Sequence, residues 1–179
     1  MRKIMLLLLL ALTTGLAAQN TDYLVTQNGM GLLKLGMKKA ELEKVLGKKI
    51  QLKNLLEKDG YSDTIKVKYK NIDVLVYLEK SWLADDSYEL VLSGIRTSSP
   101  LCKTARGIGI GTDKLKIVNA YENSNVYIWP DYEDETYTRR SKTKSVITIF
   151  NDDEANSLTF YLLNKKVVAI EITYGMTGD

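Results

Sequence analysis

An unbroken apolar run at residues 4–12, with five leucines in succession from Leu6 to Leu10, follows Arg2 and Lys3 and ends at Thr13, Thr14 and Gly15. A basic start, a short greasy helix and small residues at Ala17 and Ala18 form the pattern of a secretory signal peptide. The apolar stretch to Ala18 is about 15 residues long, short of the ~20 needed to span a bilayer. A cleaved signal over 1–18 is therefore expected, with no stable membrane anchor left behind. The only cysteine is Cys102, far from the apolar run, so no lipid tether is expected either. The consequence for folding is strict. An exported chain of about 160 residues with one cysteine has no intramolecular disulfide and must be held by its core.

Composition narrows the chemistry. The chain has no histidine, which removes Ser-His and Cys-His nucleophilic catalysis and any zinc site built on imidazole. One cysteine also excludes a thiolate zinc cluster, and no cofactor motif is present. The chain carries 25 basic and 22 acidic side chains, net +3; loss of Arg2 and Lys3 leaves the mature chain near +1. That balance gives no reason to expect a nucleic-acid partner. Eleven tyrosines against two prolines, with many Val, Ile and Thr, favour strands. Cys102 is expected to be buried, as cysteine usually is.

Along the chain, Gly36-Met-Lys-Lys-Ala-Glu-Leu-Glu-Lys-Val-Leu-Gly47 predicts a helix. Leu42, Val45 and Leu46 form one apolar stripe, and Gly47 is a C-terminal stop. Ile65, Val67 and Tyr69 alternate with polar residues, and Val74 to Leu78 completes a hairpin. A polar stretch at 79–87 precedes a strand over Tyr88 to Thr97. The second half echoes this order. Thr104, Gly107 and Gly109 match Thr26, Gly29 and Gly31, and a second amphipathic helix runs over 113–121 with Thr112 as its N-cap. Strands at 146–150, 158–163 and 167–174 follow, with turns at 151–153 and 164–166. The expectation is an α+β fold: a tandem repeat of helical segment plus antiparallel strands, at 19–99 and 100–179, with the helices packed on one face of the sheet.

The Gly36 to Gly47 motif resembles the glycine-bounded helix of an exported superfamily. That superfamily contains the β-lactamase-inhibitor protein and the small lipoprotein of the outer-membrane assembly machinery. The inhibitor is also similar in having two tandem units of about this length. The second motif, from Gly111, departs by ending in Tyr121-Glu122. The inhibitor's disulfides and the lipoprotein's modified cysteine are both missing. The resemblance implies protein binding rather than chemistry, and no functional residue is carried over from it.

Candidate sites in the sequence are few. Gly107-Ile-Gly-Ile-Gly111 precedes a helix but lacks the third glycine of a dinucleotide fingerprint and the Gly-Lys-Ser/Thr of a P-loop. Asp113 would repel phosphate, so a tight turn is expected. Asp131, Glu133, Asp134 and Glu135 form one acidic cluster, and Asp152, Asp153 and Glu154 another. Neither has calcium-loop spacing, and Arg139, Arg140, Lys142 and Lys144 read as compensation for the first. Trp82, Tyr88, Trp129, Tyr132 and Tyr137 lie in or beside the polar segments that interrupt the strands. Aromatics outside the core pattern are typical of binding hot spots, although core-end caps have the same signature. The expected function is a non-enzymatic binding or inhibitor-like module, periplasmic or extracellular, that recognises a protein or cell-envelope component. The alternatives are a carboxylate-dependent hydrolase of the envelope and a structural envelope protein.

Overall fold

The computed structural model describes residues 21–53, 60–133, 138–150 and 156–174. After a 3-10 turn at Thr21–Tyr23 come β1 (Leu24–Thr26), β2 (Gly29–Met30), β3 (Leu33–Lys34) and helix α1 (Lys39–Leu46). Strands β4 (Ser62–Tyr69), β5 (Ile72–Trp82), β6 (Tyr88–Thr97) and β7 (Lys103–Thr104) follow. Helix α2 (Lys114–Ala120) then leads into β8 (Asn125–Tyr132), β9 (Arg140–Phe150), β10 (Asn156–Leu163) and β11 (Lys166–Tyr174).

The long strands make one seven-stranded sheet in the order β4-β5-β6-β11-β10-β9-β8, antiparallel throughout. The two halves of the chain meet in mid-sheet, where Ile95 of β6 stands opposite Ile172 of β11. Strand β5 shows why this sheet forms. Ile72, Val74, Val76 and Leu78 are buried on one face, while Asp73, Leu75, Tyr77 and Glu79 alternate to the other, as a period of two requires. The β10–β11 turn is tight, and Asn164 and Lys165 both take positive φ, 50° and 65°, which suits a two-residue hairpin loop.

One face of the sheet carries the core. Val67, Val74, Val76, Leu92, Ile95, Ile147, Phe160, Ile170 and Ile172 form a single buried cluster with Val25, Met30, Leu33, Leu42, Ile108 and Ile117. The last six come from the covering layer, which consists of α1, α2, a small sheet ordered β3-β2-β1-β7 and the turn after β7 that carries Ile108. Each large side chain buried this way contributes roughly 1.5–3 kcal/mol. Cys102 belongs to this cluster, as expected. It lies 3.4 Å from the Met30 sulfur and 3.7 Å from the Thr97 hydroxyl, and burial pushes its thiol pKa up.

Both helices are short. Helix α1 ends at Gly47, whose φ of 66° is the left-handed cap that glycine adopts without strain. The chain beyond it is clamped by Glu43, which accepts the Ile50 N–H at 2.8 Å and the Lys39 ammonium at 2.5 Å. The backbone bond to Ile50, then Lys39, holds the Glu43 carboxyl down at about 2. In α2 the cap is Asp113, whose carboxylate accepts the Leu115 N–H at 3.0 Å. Thr112, expected in that role, accepts the Gly109 N–H instead.

The fold class departs from the α+β tandem repeat. Strand makes up 55% of the described residues and helix only 13%. The helices are eight and seven residues long, too short to form a layer of their own. The halves also contribute unequally to the large sheet, three strands from the first and four from the second. The physical reason is local. Capped glycine-helix motifs are conspicuous in sequence but brief, whereas the polar stretches read as excursions extend the strands. Residues 79–82 belong to β5, and 125–132 form β8.

Candidate functional site

The second face of the large sheet has no covering layer among the described residues, and its side chains follow from register. Glu171 of β11 stands opposite Arg96 of β6 and Thr159 of β10. Tyr77 of β5 stands opposite Gly94, and Tyr161 of β10 opposite Val146 and Ala169. The Tyr77 hydroxyl donates to Glu171 Oε2 at 2.7 Å, and the Tyr161 hydroxyl donates to Glu171 Oε1 at 2.9 Å. Arg96 Nη1 lies 3.7 Å from Glu171 Oε2, and its guanidinium sits 4.1 Å from the centre of the Tyr161 ring, within cation–π range. Thr148 and Thr159 share a hydrogen bond at 3.2 Å, Ser157 and Thr173 one at 2.9 Å, giving the centre a hydroxyl floor.

Gly94 makes this arrangement possible. A Cβ there would lie 2.3 Å from the Tyr77 ring, so only glycine lets the ring lie flat on β6. Burial, followed by the charge of Glu171, raises the Tyr161 phenol from 10.0 to about 12. Burial and the hydrogen bond to Glu171 raise Tyr77 as well.

Towards β8 the same face becomes aromatic. Tyr127 and Trp129 stack with ring centres 6.0 Å apart and planes 9° apart, and Phe150 meets Tyr127 edge-on at 5.3 Å. Tyr127 is 48% exposed and Trp129 53%. Alternation along β8 puts both rings on the open face, since their partners Thr148 and Val146 lie there.

Of the aromatics singled out from sequence, Trp82 and Tyr88 meet each other, edge-on at 5.5 Å across the β5–β6 hairpin. Both are exposed, and they continue the registers of the core-facing Leu78 and Leu92. Trp82 and Trp129 thus point from opposite faces of the sheet, Trp82 on β5 and Trp129 on the terminal strand β8, and do not share a surface. Tyr132 ends β8 opposite Arg140. Tyr137 lies outside the described residues, as do Asp134, Glu135, Asp152, Asp153 and Glu154. The aromatics stand on strands rather than in loops, because a strand past the covered part of a sheet loses the apolar alternation by which it is recognised.

A groove of about 370 Å³ beside the β8 edge is lined by Ile128, Trp129 and Pro130 and by Lys114, Arg140, Lys142, Lys144 and Lys165. None of these five cations pairs with another described residue's carboxylate. The near-neutral total charge concealed this segregation. Sequence reasoning also missed Tyr77, Arg96, Tyr161 and Glu171, which no local pattern connects. Among the described residues no cluster of three or more Cys, Asp or Glu side chains is placed to hold a metal ion, and no helix is long and apolar enough to cross a membrane.

Comparison with protein-family models, with curated proteins and with solved structures found no match to this chain.

Proposed function

We propose that this chain is an exported, non-enzymatic binding module that recognises a protein or cell-envelope component through the open face of its large sheet. The observation that carries the reading is the contrast between the two faces. One is buried under the small sheet and two helices. The other presents a preorganised polar centre, Tyr77, Glu171, Tyr161 and Arg96, flanked by the exposed Phe150, Tyr127 and Trp129. Aromatic and arginine side chains held rigid before contact are what interface hot spots consist of. Both Glu171 oxygens already accept phenolic protons, an arrangement that fixes a surface. The resemblance of the Gly36 to Gly47 motif to a superfamily of exported protein-binding domains supports the same reading, and the lack of histidine is consistent with it.

The test is affinity capture from an exported fraction with the mature chain as bait, repeated with Trp129→Ala and with Tyr161→Ala. The reading expects a partner that survives physiological salt and is lost with both variants. A partner retained by both, or no stable partner, contradicts it.

A further inference from the structure

We infer that the free edge of β8 accepts an extended, acidic polypeptide segment as an added strand. The inference rests on the binding-module reading and names its mode and partner chemistry. The sheet order ends at β8, and neither a strand nor an isolated bridge among the described residues continues the ladder beyond it. Such an edge is a row of backbone donors and acceptors ready for another chain, and proteins normally blunt it with charge, proline or cover. From Val126 to Trp129 this edge carries neither charge nor proline, and no strand among the described residues covers it. It carries three consecutive exposed apolar side chains, Tyr127, Ile128 and Trp129, on both faces of the strand. Strand addition uses such an edge for affinity and the alternating side-chain sites for specificity.

The charge beside the edge selects the partner. Pro130 has no N–H and limits backbone pairing. From there the contact passes to the groove with Lys114, Arg140, Lys142, Lys144 and Lys165. An incoming strand aligned with Val126 to Trp129 brings its next residues over these cations, so carboxylates are favoured there. A second copy of the chain fits less well. Antiparallel pairing of β8 with itself about Ile128 sets the uncharged stretch from Asn125 to Tyr127 against Trp129 to Asp131 and so brings no carboxylate of the paired stretch towards the groove cations. A polyanion such as a glycan or nucleic acid would use the charges but leave the unguarded backbone edge unexplained.

The experiment is selection of a random linear-peptide display library on the mature chain, followed by fluorescence polarisation with the enriched peptides. The expected winners alternate β-branched or aromatic residues and carry Asp or Glu near one end. Binding should weaken roughly tenfold or more with Lys142→Glu/Lys144→Glu, weaken with salt, and be abolished by N-methylation of alternate peptide amides. The last arm needs no protein variant and so survives any folding defect. Lys66→Glu/Lys68→Glu on the far edge should leave binding unchanged. Enrichment of basic or proline-rich peptides, indifference to N-methylation, or self-association through β8 seen by sedimentation overturns the inference. So does binding of heparin or an oligonucleotide lost with the same charge variant while no peptide is selected. Peptides that ignore the β8 changes but are lost with Tyr161→Ala overturn the edge and keep the open face. Failure to select any peptide overturns the edge, and affinity capture then decides the open face separately.

Discussion

The two edges of the seven-stranded sheet solve the same physical problem differently. Strand β4 is guarded. Its outward lysines Lys66 and Lys68 both pair with Asp73, at 3.1 and 2.9 Å. Its Asp63 points inward, buried, and its carboxylate accepts the Lys53 N–H at 2.9 Å, tying the segment after α1 alongside the edge. Ahead of Pro130, strand β8 has neither device, and its exposed side chains from Tyr127 to Trp129 are aromatic and aliphatic. A fold that blunts one edge with three charged residues and leaves the other apolar has kept the second edge for use. Aggregation-prone edges are otherwise suppressed.

Removing what both edges share gives the largest effect. Phe160 is fully buried in β10 and meets Tyr121 of the covering layer, 6.0 Å between ring centres. Phe160→Ala should cost about 3–5 kcal/mol. Urea unfolding followed with Trp82→Phe and Trp129→Phe backgrounds, one reporter on each face of the sheet, should show the same loss. Midpoints that separate would mean the two sides fold as independent units.

Stripping the guard from β4 comes next. Asp63→Ala leaves the Lys53 amide without its partner and should cost about 1–3 kcal/mol, measured by denaturant titration. Hydrogen exchange should rise across 50–53 and 62–69 while β8 is unchanged. An unaltered stability would show that Asp63 is not what secures this edge.

Lys66→Val/Lys68→Val makes β4 resemble β8. The exposed ion pairs lost are worth about 1 kcal/mol or less, so thermal stability should barely move. The expected change is in association, as concentration-dependent self-association in sedimentation velocity. A monomer at every concentration would weaken the idea that these lysines serve as guards.

A further effect is at alkaline pH, in the strands between the edges. Tyr161 has a folded pKa of about 12 against an ordinary 10.0, and Tyr77 is also raised. A raised phenol binds its proton more tightly in the folded state. The stability it contributes is therefore complete below pH 10 and is lost as pH rises towards about 12. Absorbance titration should show three late tyrosines, Tyr77, Tyr161 and the buried Tyr121, and Glu171→Gln should bring down the first two and leave Tyr121 unchanged.

Local signals were legible and long-range ones were not. The helix ending at Gly47 and the hairpin from Ile65 to Leu78 could be read because a stripe, a stop and an alternation each lie within a few residues. The balance of helix and strand was misjudged because a short capped helix leaves as clear a mark as a long one. Strand β8 escaped notice because both of its faces are exposed at 127–129 and its run ends in Pro130, which breaks the strand pattern. The central polar group was invisible for another reason. Tyr77 and Glu171 are 94 residues apart, and only the register of β5, β6 and β11 brings them together. The cations at 140–144 read as a counterweight to neighbouring acids until Lys114 and Lys165 were found beside them in one groove.

Hydrogen–deuterium exchange of the mature chain, alone and saturated with a selected acidic peptide, tests the central claim that β8 is the working edge. The account predicts new protection at 126–129, with slower exchange across 140–146, and no change across 62–69. Protection of β4 instead, or an unaltered β8 in a complex that demonstrably forms, would contradict it.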